Sequence, residues 1–444
     1  MPNPGLRRML LPRPQAAPLC KLMIRHSLQR TERSSLQDEK KPLASRYRQP
    51  GPWAGYQNTF TTLIKELGYA PGSIRNQTQL ITRFAEWLRR RQTELHFLDE
   101  ALVQRFLRSQ QNPSSVRRGD AATLYRFLYV LRQQGVVPPQ KKTPLSSQQR
   151  LINNYQQYLL KERGLTQATV VNNVGFINQF LSAKFRQGQL SLSQLRAPDV
   201  TSFVRYQAHK LSPGRAQLLV TALRSFLRYL LHQGKITTDL AICVPTVARW
   251  SFSILPKFLS AGSIQRVLDR SDRETPIGKR NYAILLLLAR LGLRACEVVA
   301  LNLEDIDWEK ARITIRAKGG RWNQLPLPTD VGEAVALYLR HGRPRCSCRS
   351  VFIRHRAPRR EFAGSQSICT VVRRALHRAG VESARKGAHL FRHGLATSMI
   401  RQGASLDEIG ELLRHRSPNT TAIYAKVDLP ALRPLALPWP GGAR

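Results

Sequence analysis

Two stretches of this chain repeat one helical layout, and that repetition limits the fold more than any other feature. Gly68, Ser73 and Phe84 are matched by Gly164, Thr169 and Phe180 at an offset of 96 residues, Val103 and Phe106 by Val200 and Phe203 at 97, and FLYVLRQQG from Phe127 by FLRYLLHQG from Phe226 at 99. Slow drift of this kind suits a duplicated unit with small loop insertions; the alternative is two four-helix units that share only composition. Apolar residues recur with the helical period in LITRFAEWL and AATLYRFLYVLRQQG, with turn signals at Ala70-Pro71-Gly72 and Asn112-Pro113. Two helical units are therefore expected, over 51–140 and 146–245.

Beyond a linker around Cys243 to Pro256 the pattern changes. Helical periods are expected near Ser263–Arg270, Arg280–Leu291, Asp330–Arg340, Ser365–Ala379, Ala388–Gln402 and Ser405–Leu413. A last helical turn is expected in SPNTTAIYAKV, with Ser417 as N-cap and Pro418 at the first helical position. RITIRAKGGRWNQLPLP alternates on either side of Lys318-Gly319-Gly320, which signals a β-hairpin. Residues 257–430 thus read as a mainly α domain with a small β-hairpin, an α+β arrangement. Residues 1–50 mix Pro, Arg, Ser and Gln without a period and read as a flexible basic leader. A C-terminal tail, 431–444, follows; between them, it and the residues before it carry Leu429, Leu432, Leu435, Leu437 and Trp439, an apolar load that should be covered by its own domain or by a neighbouring protomer.

Charge narrows the partners. Against 71 Lys and Arg stand 28 Asp and Glu, a formal net charge of +43, which calls for a polyanion. The longest apolar run, Ala283 to Ala289, is far below the ~20 residues that cross a bilayer. MPNPGLRRMLLPRPQ has too short an apolar run for a secretory signal, so a cytoplasmic location is expected. The basic residues are spread along the chain, which favours double-stranded DNA over a membrane surface. In the two helical units they include Arg75, Arg83, Arg117 and Arg118, then Lys184, Arg186, Lys210 and Arg215, suited to lying across phosphates. The six cysteines lack disulfide-framework density; Cys346 and Cys348 could meet His341 and His355 around zinc, but read as ordinary thiols. No metal and no nucleotide cofactor is expected.

The chemistry gathers in four short segments of the last domain. GLRACEV holds Arg294 and Glu297, RAKGGR holds Lys318, HLFRH holds His389, Arg392 and His393, and LLRHRSPNTTAIYAKV holds His415 and Tyr424. His389, Arg392, His393 and Ala396 fall at i, i+3, i+4 and i+7, one face of a helix and an unusual one for a core. Arginines of this kind grip phosphate oxygens in two-pronged fashion, which lysine cannot do.

In order and separation these segments resemble the tyrosine recombinase, or phage integrase, family, whose pattern runs Arg, hairpin Lys, His-x-x-Arg, His, Tyr. The resemblance covers roughly residues 150–430, and its motifs occupy the last ~170 residues. It implies a recombinase catalytic domain preceded by helical SAM-like core-binding units. It assigns Arg294 and Arg392 to the nonbridging phosphate oxygens, Lys318 to general acid catalysis, His389 and His415 to hydrogen bonding and proton transfer, Glu297 to orienting the cluster, and Tyr424 to nucleophilic attack. His393 is read as a packing or orienting residue. Two departures stand out: Arg414 where Gly usually precedes the last His, expected to add a cation that tunes DNA binding, and Gly394 where Ser or Thr is common. The activity implied is DNA strand exchange through a 3′-phosphotyrosyl intermediate, by a homo- or hetero-tetramer on DNA, in integration or transposition of a mobile element. A type IB topoisomerase and a non-catalytic DNA-binding homologue remain as alternatives.

Overall fold

The computed structural model describes residues 53–110, 119–139, 144–185, 190–248, 257–316 and 322–427. The leader, Arg117, Arg118, Arg186, Lys318 and the C-terminal tail lie outside the described residues. The chain divides into two compact units, Gln140–Ile254 and a unit formed by the residues on either side of it.

The first helical stretch runs α1 (Ala54–Glu66), α2 (Pro71–Arg90), a 3-10 turn at Leu95–Phe97, α3 (Glu100–Ser109) and α4 (Asp120–Gln133). The second runs α5 (Ser147–Gln157, extended by a π-turn at Tyr158–Glu162), α6 (Gln167–Lys184), a 3-10 turn at Leu192–Gln194, α7 (Ala197–Ala208) and α8 (Pro213–His232). Element follows element in the same order. Gly68 and Gly164, the paired glycines before the second helix of each stretch, both take positive φ, +78° and +58°, a conformation open to Gly without a Cβ clash. Phe84 packs with Phe106 at 5.0 Å between ring centres, and their counterparts Phe180 and Phe203 at 5.1 Å. Phe127 and Phe226, the third matched pair, are fully buried in separate cores. The matched sequence positions thus hold matched structural places, as duplication predicts.

The remaining elements are α9 (Ala261–Asp269), α10 (Pro276–Leu291), α11 (Ala295–Ala300), a 3-10 turn at Leu303–Asp305, β1 (Ile306–Asp307), β2 (Arg312–Arg316), β3 (Trp322–Pro326), α12 (Thr329–His341), α13 (Ser365–Arg378), α14 (His389–Arg401), α15 (Leu406–Leu413), α16 (Pro418–Thr421) and a 3-10 turn over Ala422–Val427. Helix α10 is the axis of this core. Each residue from Ala283 to Ala289 is buried, and a helix apolar on all sides belongs in an interior. At roughly 1.5–3 kcal/mol per buried large aliphatic side chain, this one helix is a major source of stability. Helices α12, α14 and α13 pack around it. The strands form an antiparallel sheet in the order β1-β2-β3, with Ile313 opposite Leu325 and Arg316 opposite Trp322. Ile313 and Ile315 point inward while Arg312 and Arg316 stay exposed, the alternation expected of a sheet with one buried face. Helix α11 was not anticipated: at six residues it is too short to display a period.

Candidate active site

The site begins where α10 stops. Gly292 ends that helix in the left-handed region at φ +55°, and a Cβ there would lie 2.8 Å from Leu413 Cδ2; only glycine fits both constraints. The reversal puts Arg294 at the N-cap of α11, and the Glu297 carboxylate reaches back to accept the Arg294 backbone N–H at 2.8 Å. Its other oxygen accepts from Arg294 Nη1 at 2.7 Å. Glu297 is buried while the Arg294 side chain stays 33% exposed. Nη1 of that guanidinium is therefore fixed by Glu297, and Nη2 reaches the Arg414 carbonyl at 3.4 Å.

Helix α14 supplies the next groups. Arg392 is buried, with Nη1 donating to the Gly292 carbonyl at 2.6 Å and Nη2 to the Leu413 carbonyl. Two of its five N–H donors are thus spent on holding the end of α10 and the end of α15 together. Burial, reinforced by the charges of Arg294 and Arg414, pushes its pKa down to about 9. Ala396, one turn further on, is buried with Met399, Ile400, Ile409, Leu413 and Tyr424 in a small apolar cluster. Its small side chain leaves room for the following segment to lie against α14. Gly394 has an equally local reason: a Cβ there would approach the Leu259 carbonyl oxygen to 2.6 Å, so Ser or Thr would not fit.

That following segment brings His415 and Tyr424. His415 Nδ1 shares a hydrogen with Thr421 Oγ1 at 2.7 Å, and its ring lies nearly parallel to Tyr424, 6.3 Å away with 7° between the planes. Tyr424 is 1% exposed. Its hydroxyl is 2.7 Å from His393 Nδ1, and the His393 ring is 5.8 Å from that of His389. Burial raises the Tyr424 phenol to about 12, opposed by the Arg392 and Arg294 charges. Burial likewise lowers His393 and His415 to about 4, with neighbouring cationic and imidazole groups adding to the effect. His389, exposed at the start of α14, is lowered by partial desolvation and then by Arg385. Both His393 and His415 are therefore neutral at pH 7.

Of the residues singled out in the sequence, Arg294, Glu297, His389, Arg392, His415 and Tyr424 come together; Lys318 is outside the described residues. Two neighbours have partners that the sequence did not name. His393, expected to pack or to orient its neighbours, meets the Tyr424 hydroxyl directly; its i+4 spacing from His389 was the available signal. Arg414, expected as a cation beside the site that tunes DNA binding, has a side chain only 5% exposed and bonds Glu297 Oε2 at 3.1 Å. Thr421, the partner of His415, carried no sequence signal. Three guanidinium groups thus surround one carboxylate, leaving an excess of positive charge suited to a phosphodiester. Among the described residues no group of three or more His, Cys, Asp or Glu could hold a metal ion.

Residues 257–429 match the phage integrase family and residues 152–234 match the phage integrase N-terminal SAM-like domain. A putative integrase/recombinase, y4rA, of Sinorhizobium fredii is 47% identical over 397 residues, 89% of this chain and 96% of that protein. Tyrosine recombinase XerD of Listeria monocytogenes is 29% identical over 284 residues, 62% of this chain and 94% of that protein. In fold the chain is similar to the crystal structure of XerH site-specific recombinase bound to a palindromic difH substrate, with a TM-score of 0.52, 19% identity, and coverage of 68% of this chain and 99% of that one. The chain belongs to the phage integrase family of tyrosine recombinases, enzymes of site-specific DNA recombination.

Proposed function

We propose that this recombinase binds double-stranded DNA and cuts it with Tyr424, through a 3′-phosphotyrosyl intermediate, in the integration or transposition of a bacterial mobile element. The observation that carries this reading is the Tyr424 hydroxyl held 2.7 Å from His393, with the Arg392 and Arg294 charges close enough to oppose the rise of its pKa. Oη attacks phosphorus as its proton passes to the site's histidines, the P–O5′ bond breaks, and the 5′ oxygen takes a proton from Lys318, the residue the motif pattern assigns as general acid. Arg294 and the uncommitted donors of Arg392 hold the nonbridging oxygens as their charge grows. The intermediate is itself a phosphodiester, so a 5′-hydroxyl from another strand can reseal it without ATP. Exchange between strands requires several protomers at once, and a tetramer on DNA in the cytoplasm fits that need. The pairing of an integrase/recombinase relative spanning most of the chain with an intact set of phosphate-facing groups supports the mobile-element role.

Tyr424→Phe removes only the nucleophilic oxygen. With a nicked suicide substrate the variant should bind DNA normally and form no covalent protein–DNA adduct on a denaturing gel; an adduct at the rate of the unsubstituted protein would move the nucleophile elsewhere.

A further inference from the structure

The two copies of the helical unit differ at one turn. Leu67 ends α1, and its carbonyl, of the kind a helix end leaves without an intrahelical donor, accepts the Arg359 backbone N–H of the catalytic domain at 2.9 Å. The Arg359 side chain lies on Gly68, where a Cβ would come within 2.6 Å of Nε and 2.9 Å of Cγ. A cation there also suits the negative end of α1. In the second copy the matching residues are Arg163 and Gly164. Gly164 also takes positive φ, yet among the described residues nothing stands within 4 Å of the place a Cβ would occupy. Turn geometry accounts for glycine in both copies, whereas the open space beside it is filled in the first.

Arg359 is presented by a segment that the catalytic core holds firmly. Ile353 pairs with Glu361 across it as a β-bridge, and the Arg354 N–H donates to the Arg360 carbonyl at 2.8 Å. Buried Arg280, near the start of α10, donates from Nη1 to the Ile353 carbonyl at 3.0 Å and lies 5.0 Å from the centre of the Phe362 ring. The receiving surface is therefore built by the catalytic domain itself, while the apolar cores of that domain and of the first helical stretch stay separate. A junction of one backbone bond and one arginine stem contributes little net stability, so it can open and close. Helix α2 starts at Pro71, just after the turn, and carries the exposed Arg75 and Arg83.

We propose that residues 353–361 of the catalytic domain are a docking site for the first helical stretch of the same chain, with Arg359 as a latch on Leu67 and Gly68. The latch fixes α2 relative to the catalytic domain, so that both meet one DNA duplex as a single body; this consequence rests on the DNA-binding reading above. A tethered unit that is free must be ordered when DNA binds, whereas a docked one has met that cost beforehand.

Asn accepts a left-handed backbone at little cost, so Gly68→Asn drives a side chain into the space of Arg359 with little strain, and Gly164→Asn is the matched control with open space. In the full chain without DNA, the Arg359 amide should exchange its hydrogen about tenfold faster in Gly68→Asn, the effect of losing one such bond, and at an unchanged rate in Gly164→Asn. The Arg354 amide should keep its protection in both, which shows the segment intact. Equal Arg359 exchange in Gly68→Asn and the unsubstituted protein would overturn the docking. In an Arg359→Ala background Gly68→Asn should cause no further loss of thermal stability; additive losses would overturn a direct contact. On a random-sequence DNA duplex, Gly68→Asn should bind about three- to tenfold more weakly with an unchanged slope of log K against log salt, because docking positions phosphate contacts without making them. Unchanged affinity would overturn the coupling to DNA, and so would a reduced slope. Absence of any salt dependence in the unsubstituted protein would instead sink the DNA-binding reading, leaving the exchange result to judge the latch.

Discussion

Arg414 shows how a single residue can be read correctly by type and neighbourhood while the direction of its side chain stays hidden. Its backbone is left-handed, φ +56° and ψ +49°, a conformation that costs a non-glycine residue about 1–2 kcal/mol. The side chain turns inward to Glu297, so the cost is offset by a buried, charge-assisted hydrogen bond. Arg414→Gly and Arg414→Ala should both remove one of the bonds that hold Glu297 and slow cleavage, but the Gly variant should be the more stable by about 1 kcal/mol, because only Ala keeps the backbone strain. Thermal melting checks this, and equal stability of the two variants would contradict it. Neither should change the salt dependence of DNA binding, since the charge removed is buried. Composition revealed the cation; its direction depended on a turn whose geometry appears only once α15 and α11 meet. His393 has the same history, since helical spacing put it on the right face while the partner came from a segment 31 residues on.

At the scale of elements, long periodic segments were legible and short ones were not. The core helices α10, α12, α13 and α14 lie where their apolar periods put them, and Ser405 caps α15 in a reciprocal pair of bonds with Glu408. Ser417 stands at the N-cap of α16 with Pro418 at its first position, without a side-chain cap bond. Helix α11 escaped because its order comes from Glu297 and the α10 turn, not from a pattern of its own. The repeat was legible because aromatic pairs such as Phe84–Phe106 and Phe180–Phe203 need each other at nearly the same separation. The basic residues of the repeats differ in availability. Arg75 and Arg83 are exposed on α2, whereas Lys184 is paired with Asp199 at 2.5 Å. If α2 lies on DNA, Arg75→Gln with Arg83→Gln should reduce the slope of log K against log salt by about 0.9 for each phosphate that is no longer neutralised. Lys184→Gln should change it less. An unchanged slope in the double variant would show that α2 does not touch DNA.

For the molecule as a whole, a net charge of +43 pointed to a polyanion before any motif was considered, while the motif order named the chemistry. Three histidines of the catalytic domain, His355, His393 and His415, are pushed down to about 4, chiefly by burial. They take up protons more readily in the unfolded chain, so the stability gained by keeping them neutral is complete above about pH 6.5 and is lost as pH falls towards 4. Thermal melting should therefore drop across that window, and less steeply in His393→Gln; a melting temperature flat from pH 6.5 to 4 would contradict the burial of these rings. The central claim is narrower, that one tyrosine carries the DNA. Protein trapped on a suicide substrate, digested, and sequenced by mass spectrometry should yield one nucleotide-bearing peptide, linked from Tyr424 to a 3′-phosphate. Linkage through any other residue, or to a 5′-phosphate, would contradict the account.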